Sequence, residues 1–276
     1  MSASSVRSRY LDLLIESING SLRWRESVYA PIALLPGIPA DVREVIRASD
    51  FELCVRETIP EEAYALGEGW PPSRRGVGES MVGKRRLENV RKCVEELLAN
   101  KIPGDLIETG VWRGGCCILM RGVMAAYDDE TRVVYVADSF AGLPQTERED
   151  DDAASLHFDR TLAVSRDKGA EAFARYGLLD DQVRFVEGWF QDTLPGLADR
   201  KWSLIRLDGD MYDSTMDALT NLYPRLNPGG FVIVDDYHAY NACRRAVNDF
   251  GEKKRISEEL VAIDRIGVYW RKTQSD

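Results

Sequence analysis

The chain has 276 residues, a formal net charge of −10 at pH 7 and 44% hydrophobic residues. This length and composition predict one large domain, or one domain plus an extension, around a substantial core. The acidic balance disfavours nucleic acid as a partner, since no long basic segment offsets it. No run of about 18 apolar residues predicts a membrane span, and residues 1–10 lack the apolar region of a signal peptide. Five cysteines without zinc-like spacing favour free thiols in a reducing cytoplasm.

The amino-terminal part differs in pattern from the rest of the chain. Apolar residues at helical spacing predict a helix over residues 8–24. Prolines and glycines are frequent in residues 25–80, which we expect to form short helices joined by loops over one face of the main domain. Another helix is predicted over residues 83–100. We therefore divide the chain into a helical and irregular extension, residues 1–82, and a main domain, residues 83–276.

From residue 104 onward, strands and helices alternate. Strands are predicted over 105–109, 132–138, 182–187, 202–208, 230–235, 259–264 and 266–271, and helices over 115–127, 160–176, 214–226 and 240–254. The alternation predicts an α/β, doubly wound, mostly parallel seven-stranded sheet with helices on both faces. The short turn at Arg265 predicts an antiparallel last pair. This order indicates the Rossmann-like fold of class I methyltransferases that use S-adenosyl-L-methionine (SAM).

A glycine-containing turn follows the first strand of the main domain. It runs Glu108-Thr109-Gly110 and ends in Gly114-Gly115, which is neither a P-loop nor a complete dinucleotide fingerprint. Gly110 and Gly114 permit a close backbone approach to a ligand. The carboxylate of Glu108 would repel a pyrophosphate and favour a cation. The turn therefore favours the sulfonium and ammonium groups of SAM.

Two further strand ends complete the predicted cofactor site. Asp138 ends the second strand, where an acid accepts hydrogen bonds from ribose hydroxyls. Ser139 and Phe140 would border the adenosine, and Gly188 and Trp189, after the third strand, would wall the adenine. The structural alternative is that the glycines only make turns and that Asp138 caps a helix. All three elements lie at matching strand ends, which favours SAM binding.

Acidic residues close the last two parallel strands. Asp208 and Asp210 follow one strand, and Asp235 and Asp236 follow the next. Neighbouring parallel strands end at the same edge, so these carboxylates would repel one another without a cation. Oxygen ligands favour Mg²⁺ over zinc, with Mn²⁺ or Ca²⁺ as alternatives. We predict that Asp208, Asp235 and Asp236 are the metal ligands, while Asp213 is predicted to cap the following helix.

Methyl transfer from SAM to a hydroxyl requires the acceptor oxygen to lie in line with the methyl group and to lose its proton. A bound Mg²⁺ would stabilise the developing alkoxide as a Lewis acid. Asp208 is the first candidate for the base, Asp210 the second and His238 the third. His157 is predicted to contact the substrate.

Several long motifs resemble the macrocin O-methyltransferase (TylF) family. They are PGDLIETGVWRGG at 103–115, ADSFAGLP at 137–144, LDGDMYDST at 207–215 and LYPRLNPGGFVIVDDY at 222–237. Residues 10–14 and 80–89 are similar too, and the resemblance covers roughly residues 8–250. It implies Mg²⁺-dependent methylation, from SAM, of deoxysugar hydroxyls in bacterial antibiotic biosynthesis.

The resemblance also implies roles for individual residues. The family's metal aspartates correspond to Asp208, Asp235 and Asp236. Its acid before the glycine turn corresponds to Glu108, and its ribose acid to Asp138. The segment with Ser80 and Met81 would close over SAM and the acceptor, and residues 25–79 would supply a lid and acceptor contacts. The resemblance further implies a homodimer or a larger homo-oligomer.

Other functions stay open at this point. Asp208-Gly209-Asp210 fits the D-x-D motif of a metal-dependent glycosyltransferase, although Glu108 and Asp138 favour SAM. A catechol-type O-methyltransferase would use similar metal geometry. A ligand-binding or scaffold protein on the same fold would leave the carboxylate cluster unexplained.

Overall fold

A computed structural model describes residues 3–23, 28–31, 39–47, 54–57 and 78–273. Its helices are α1 Ala3–Ile18, α2 Ala40–Arg47, α3 Lys84–Ala99, α4 Gly115–Ala126, α5 Arg166–Arg175, α6 Phe190–Thr193, α7 Tyr212–Leu222 and α8 Asn241–Lys254. Its strands are β1 Val28–Pro31, β2 Cys54–Glu57, β3 Asp105–Thr109, β4 Val134–Asp138, β5 Val183–Glu187, β6 Trp202–Leu207, β7 Leu226–Val234, β8 Val261–Ala262 and β9 Val268–Arg271. Among the described helices, none has the length and apolar character needed to cross a membrane.

The main sheet has the strand order β5-β4-β3-β6-β7-β9-β8. Strands β3 to β7 pair in parallel, whereas β9 pairs antiparallel with β7 and β8 pairs antiparallel with β9. This confirms the predicted seven-stranded, mostly parallel sheet and its antiparallel end. The order reverses between β3 and β6, and ligands of such sheets bind beyond the carboxyl ends at this switch point.

Burial on both faces explains why the central strands are apolar. All six residues of β6 are buried, with Leu204 in the core under α3 and α4 and Ile205 in the core under α7 and α8. Fully burying one such side chain stabilises the fold by roughly 1.5–3 kcal/mol. The exception in β6 is Arg206, whose charged side chain is as deeply buried as its apolar neighbours.

The amino-terminal helix is part of the same core. Leu11, Leu14, Ile15 and Ile18 of α1 pack with the apolar side chains of α3 and α4. The helix predicted over 8–24 instead ends at Ile18 and is followed by a 3-10 turn, Ser21–Arg23. The domain boundary after residue 82 stays a prediction.

Residues 25–80 were predicted to contain only short helices and loops, and this was wrong where β1 and β2 pair antiparallel. The sequences VYAP and CVRE contain the β-branched and aromatic residues that favour strands. Helix α2 agrees with the expectation. The other parts of this region, up to residue 77, lie outside the described residues, as do most of the predicted acceptor contacts.

Helix α7 begins differently from the prediction. Asp213 was predicted to cap it, but Asp213 lies within its first turn, and the cap position is Met211, which makes no side-chain capping bond. The carboxylate of Asp151, from a distant loop, accepts a hydrogen bond of 3.0 Å from the Tyr212 amide instead. The helix therefore starts two residues before its predicted first residue, with a cap that sequence spacing does not reveal.

Candidate active site

A pocket of about 350 Å³ lies over the carboxyl ends of β3, β4, β6 and β7. Most of the predicted site residues line it: Ser80, Met81, Glu108, Gly110, Asp138, Ser139, Trp189, Asp208, Asp210, Asp235 and Asp236. The fold thus gathers residues from the extension, the glycine turn and four further strand ends around one cavity.

Other predicted residues lie around the pocket without lining it. Thr109 is buried in β3, and Gly114 is the cap position of α4. Gly188 follows β5 with a φ of +134°. Phe140, expected beside the adenosine, is buried in the core with its ring centre 6.0 Å from that of Phe185.

Neither histidine lines the pocket, and their predicted roles stay predictions. His238 is exposed, and its ring packs edge-on against Tyr237 at 4.9 Å. Its backbone amide donates to the Ile266 carbonyl. His157 contacts the Leu143 carbonyl through Nδ1 at 2.9 Å. His157 therefore supports a segment that lines the pocket and does not itself line it.

Gly110 brings the cofactor turn against the end of β6. Its φ is +84°, and a Cβ atom at this position would clash with the Asp208 carbonyl oxygen. The Gly110 amide donates to the Ala137 carbonyl, and the Asp208 amide donates to the Thr109 carbonyl, both at 2.9 Å. Only glycine satisfies this conformation and this spacing.

Glu108 is buried below the turn, with 2% of its surface exposed. It forms an ion pair with Arg206, and the Cys117 thiol donates to its Oε2 at 2.8 Å. Burial raises the pKa of Glu108 to about 7, against the opposing effect of Arg206. Glu108 is predicted to attract a cationic cofactor, and Arg206 already balances part of its negative charge.

Asp138 holds the cofactor turn against β4. Its Oδ2 accepts from the amides of Val111 at 2.7 Å and Trp112 at 3.3 Å, and its Oδ1 accepts from the Phe140 amide at 2.7 Å. Burial raises the pKa of Asp138, although these hydrogen bonds oppose that rise. The Ser139 hydroxyl also donates to Oδ1, at 3.4 Å. Since a carboxylate has about four acceptor positions, a ribose hydroxyl would have to replace one of these donors to bind Asp138.

The segment containing Ser80 and Met81 lies beside the same turn. The Glu79 carbonyl accepts from the Gly115 amide at 3.1 Å, and the Glu79 amide donates to the Ile18 carbonyl at 2.7 Å. Ser80 is buried, and its Oγ accepts from the Val82 amide at 3.2 Å. This segment thus connects the end of α1 to the start of α4 at the pocket.

Arg206 connects the cofactor turn to the acidic strand ends. Its Nη1 donates to Glu108 and, at 2.6 Å, to Asp208, and its Nη2 donates to Asp235. Sequence reasoning missed this residue. The available signal was a single charged residue inside a mostly apolar strand, because a buried charge requires a partner.

A second arginine completes the network. Arg86 of α3 donates through Nη1 to the other carboxylate oxygen of Asp235, and its Nε lies 3.1 Å from Asp264 Oδ2. Burial lowers the pKa of Arg86, but the coulombic effects of Asp235, Asp264 and Asp236 together outweigh it, so the pKa lies above its ordinary value. Asp235 is therefore held between two guanidinium groups.

Three carboxylates meet beside this network, and one of them, Asp208, also pairs with Arg206. Asp208, Asp210 and Asp236 each offer an oxygen, and these atoms lie within 4.8 Å of one another. The set contains Asp210 where the sequence analysis placed Asp235, whose two oxygens bind the arginines. The assignment of Asp235 as a metal ligand stays a prediction.

The electrostatics of this acidic trio fit a hard cation. Burial, followed by repulsion from neighbouring carboxylates, raises the pKa of Asp210 to about 8 and that of Asp236 well above its usual range. Asp236 Oδ2 is buried and has no hydrogen-bond partner in the part of the chain that the structure describes. Oxygen ligands gathered in this way are typical of Mg²⁺ and Ca²⁺ sites.

Comparison with known proteins identifies the family. The family model described as Macrocin-O-methyltransferase (TylF) matches residues 7–272. The chain belongs to the TylF family. It is therefore an O-methyltransferase, and the fold implies SAM as the methyl donor. This membership decides against the glycosyltransferase alternative.

Individual relatives are similar to this chain in sequence and in structure. The chain is 52% identical to 8-demethyl-8-(2,3-dimethoxy-alpha-L-rhamnosyl)-tetracenomycin-C 4'-O-methyltransferase of Streptomyces olivaceus, over 83% of this chain and 88% of the relative. It is 48% identical to mycinamicin III 3''-O-methyltransferase of Micromonospora griseorubida, over 80% and 87%. The solved structure of the O-methyltransferase NovP superposes on this chain with a TM-score of 0.81 and a sequence identity of 42%. The match covers 97% of this chain and 100% of the NovP chain. The TylF-family fold predicted from the motifs is confirmed.

Proposed function

We propose that this TylF-family enzyme transfers the methyl group of SAM to a deoxysugar hydroxyl in antibiotic biosynthesis, with the help of Mg²⁺. The sugar would be linked to a nucleotide or to a finished natural product. Support comes from the relatives, two of which are named for methylating sugar-bearing antibiotics. The observation that carries the metal requirement is the acidic trio, Asp208, Asp210 and Asp236, at the same pocket as Glu108 and Asp138.

The trio would hold the metal through one oxygen from each carboxylate. When bound, Mg²⁺ supplies a Lewis acid that lowers the pKa of the acceptor hydroxyl. Arg206 and Arg86 keep Asp235 beside the trio and balance part of its negative charge. The arginines thus pair with some of the carboxylates at this edge of the sheet, and the remaining negative charge would attract a divalent cation.

Asp210 is the base that the geometry favours. Asp208, the first candidate from sequence, already accepts a hydrogen bond from Arg206 through Oδ2. A carboxylate that offers one oxygen to the metal keeps its second oxygen for the proton of the hydroxyl, and among the described residues no arginine pairs with Asp210. In this role an Asp210 oxygen takes the proton of the acceptor hydroxyl as the oxygen–methyl bond forms and the sulfur–methyl bond breaks.

The test is transfer of a labelled methyl group from SAM to mycinamicin III and to the rhamnosylated tetracenomycin named above, with Mg²⁺ or with a chelator. We expect one methyl group on a sugar hydroxyl of at least one glycoside, and loss of turnover with chelator or in Asp208→Ala. SAM binding should survive in that variant. Methylation of a simple catechol but of no glycoside would overturn the sugar assignment. Full turnover with chelator would overturn the metal assignment.

A homodimer or larger assembly is a further part of this proposal. Val6 and Leu13, on the outer face of α1, are 55% and 56% exposed, and large exposed apolar side chains on one face favour a protein contact. Light scattering coupled to gel filtration checks this directly, and a mass of one chain would contradict it.

A further inference from the structure

Two consecutive aspartates cap two different helices of the pocket. Asp151 Oδ2 accepts from the Tyr212 amide, the first of α7, at 3.0 Å. Asp152 accepts from the amides of Asn241 and Ala242, the first of α8, at 2.8 and 2.9 Å. In neither helix does the residue at the cap position make a side-chain capping bond. Both helices therefore depend on caps supplied by one loop.

The loop is bound to these helices through its other side chains as well. Arg148 lies over the Tyr212 ring at 4.1 Å from its centre, and Arg245 of α8 lies 5.2 Å from the same ring. Asp150 pairs with Arg245 at 2.8 Å. The acidic loop, residues 147–152, is thus attached to α7 and α8 by charge as well as by the caps.

The position of the loop connects it to the chemistry. Helix α7 follows Asp208 and Asp210, and α8 follows Asp235 and Asp236. Directly before the acidic loop, residues 143–146 line the pocket after leaving the cofactor side at Asp138 and Ser139. The chain therefore crosses from the cofactor side of the pocket to its acidic side between residues 139 and 152.

We propose that Asp151 and Asp152 are positioning residues that hold residues 143–146 as an acceptor-binding wall beside the acidic strand ends. A carboxylate at a helix amino terminus is stabilised by the unpaired amides and by the helix dipole. Asp151 is buried. Burial alone would raise the pKa of Asp152, but its hydrogen bonds lower it, so its side chain is ionised at neutral pH. This inference rests on the proposed sugar methylation.

The test compares Asp152→Ala and Asp151→Ala with Glu149→Ala, which removes the same charge from an exposed position of the loop. For a glycoside that the wild type methylates, the capping variants should raise the acceptor KM about tenfold, which corresponds to about 1.4 kcal/mol of binding. The Kd for SAM should stay unchanged, and Glu149→Ala should behave as wild type. Asp152→Asn, which keeps one acceptor oxygen, should restore part of the affinity and replaces Asp152→Ala if that variant does not fold.

A second measurement is independent of the acceptor. Hydrogen–deuterium exchange at the amides of Leu143, Gln145 and Thr146 should be faster in Asp152→Ala than in Glu149→Ala. Lower kcat with unchanged acceptor KM and unchanged exchange would indicate a purely structural cap and overturn the inference. If the wild type methylates no glycoside, the proposed function fails, and the exchange experiment alone decides the role of the aspartates.

Discussion

The guanidinium groups of Arg86 and Arg206 bind the two oxygens of one carboxylate, that of Asp235. Arg86 belongs to α3 and Arg206 to β6, so the contact joins a covering helix to the centre of the sheet. It also gives Asp235 a different environment from Asp236, the next residue, whose Oδ2 has no hydrogen-bond partner among the described residues. Of these adjacent aspartates, one thus pairs with two arginines and the other belongs to the proposed cation site.

Removal of Arg206 should be strongly destabilising. The variant Arg206→Met leaves Glu108, Asp208 and Asp235 without their shared cation, and breaking a buried ion pair costs about 3–5 kcal/mol. Urea unfolding at pH 7 measures the loss. Arg91→Met is the matched control, since Arg91 pairs with the largely exposed Asp12 and with Glu95 on its own helix, and such surface pairs contribute about 1 kcal/mol or less each. Equal losses in the two variants would contradict the assigned importance of Arg206.

Glu108→Gln should weaken SAM binding about tenfold, or about 1.4 kcal/mol, because the variant removes negative charge from the cofactor end of the pocket. Calorimetric titration of SAM measures the effect. Asp105→Asn, at the opposite end of the same strand, is the control and should leave the Kd unchanged. A SAM affinity in Glu108→Gln equal to that of the wild type would show that Arg206 fully compensates Glu108.

Asp236→Asn should reduce Mg²⁺ affinity while SAM affinity is kept. One ligand oxygen and one negative charge leave the acidic trio, and oxygen ligands set the affinity for hard cations. Competition between Mg²⁺ and Mn²⁺, followed by the paramagnetic resonance of free Mn²⁺, gives the affinities. Asp213→Asn removes the same charge from the first turn of α7 and should bind as wild type does. If Asp236→Asn and wild type bind the metal equally, the trio is not the site.

Gly110→Ala should destabilise the protein far more than Gly177→Ala. Both glycines have positive φ, +84° and +66°, but a Cβ at Gly177 meets no atom of the described residues within 4 Å, whereas one at Gly110 clashes with the Asp208 carbonyl. Backbone strain alone costs about 1–2 kcal/mol, so the excess measures the clash. Thermal unfolding with and without SAM compares the two variants. Equal melting temperatures would refute the close approach of the turn after β3 to the end of β6.

The fold was predictable where apolar strands end in acids or glycine. Strands β3 and β6 begin and end within a residue of their expected limits because burial requires a continuous apolar run and the site requires polar residues after it. Helix α5 begins at Arg166, later than expected, because Ser165 caps it by accepting from the Lys168 amide.

The parts that escaped prediction depend on contacts between distant residues. Nothing in the local sequence of Arg86 indicates that it reaches Asp235, 149 positions later. Asp208, Asp210, Asp235 and Asp236 look alike in sequence, and only their partners separate them. The cap of α7 is a second example. The sequence spacing favoured Asp213, which lies next to the helix start, but the fold uses Asp151 from a distant loop.

The distant caps also have a consequence for the order of folding. Asp151 lies 61 positions before Tyr212, and Asp152 lies 89 positions before Asn241. Closing such long stretches of chain costs more entropy than forming local turns, and these contacts are therefore made late. The first turns of α7 and α8 gain their caps only after both halves of the sheet have assembled.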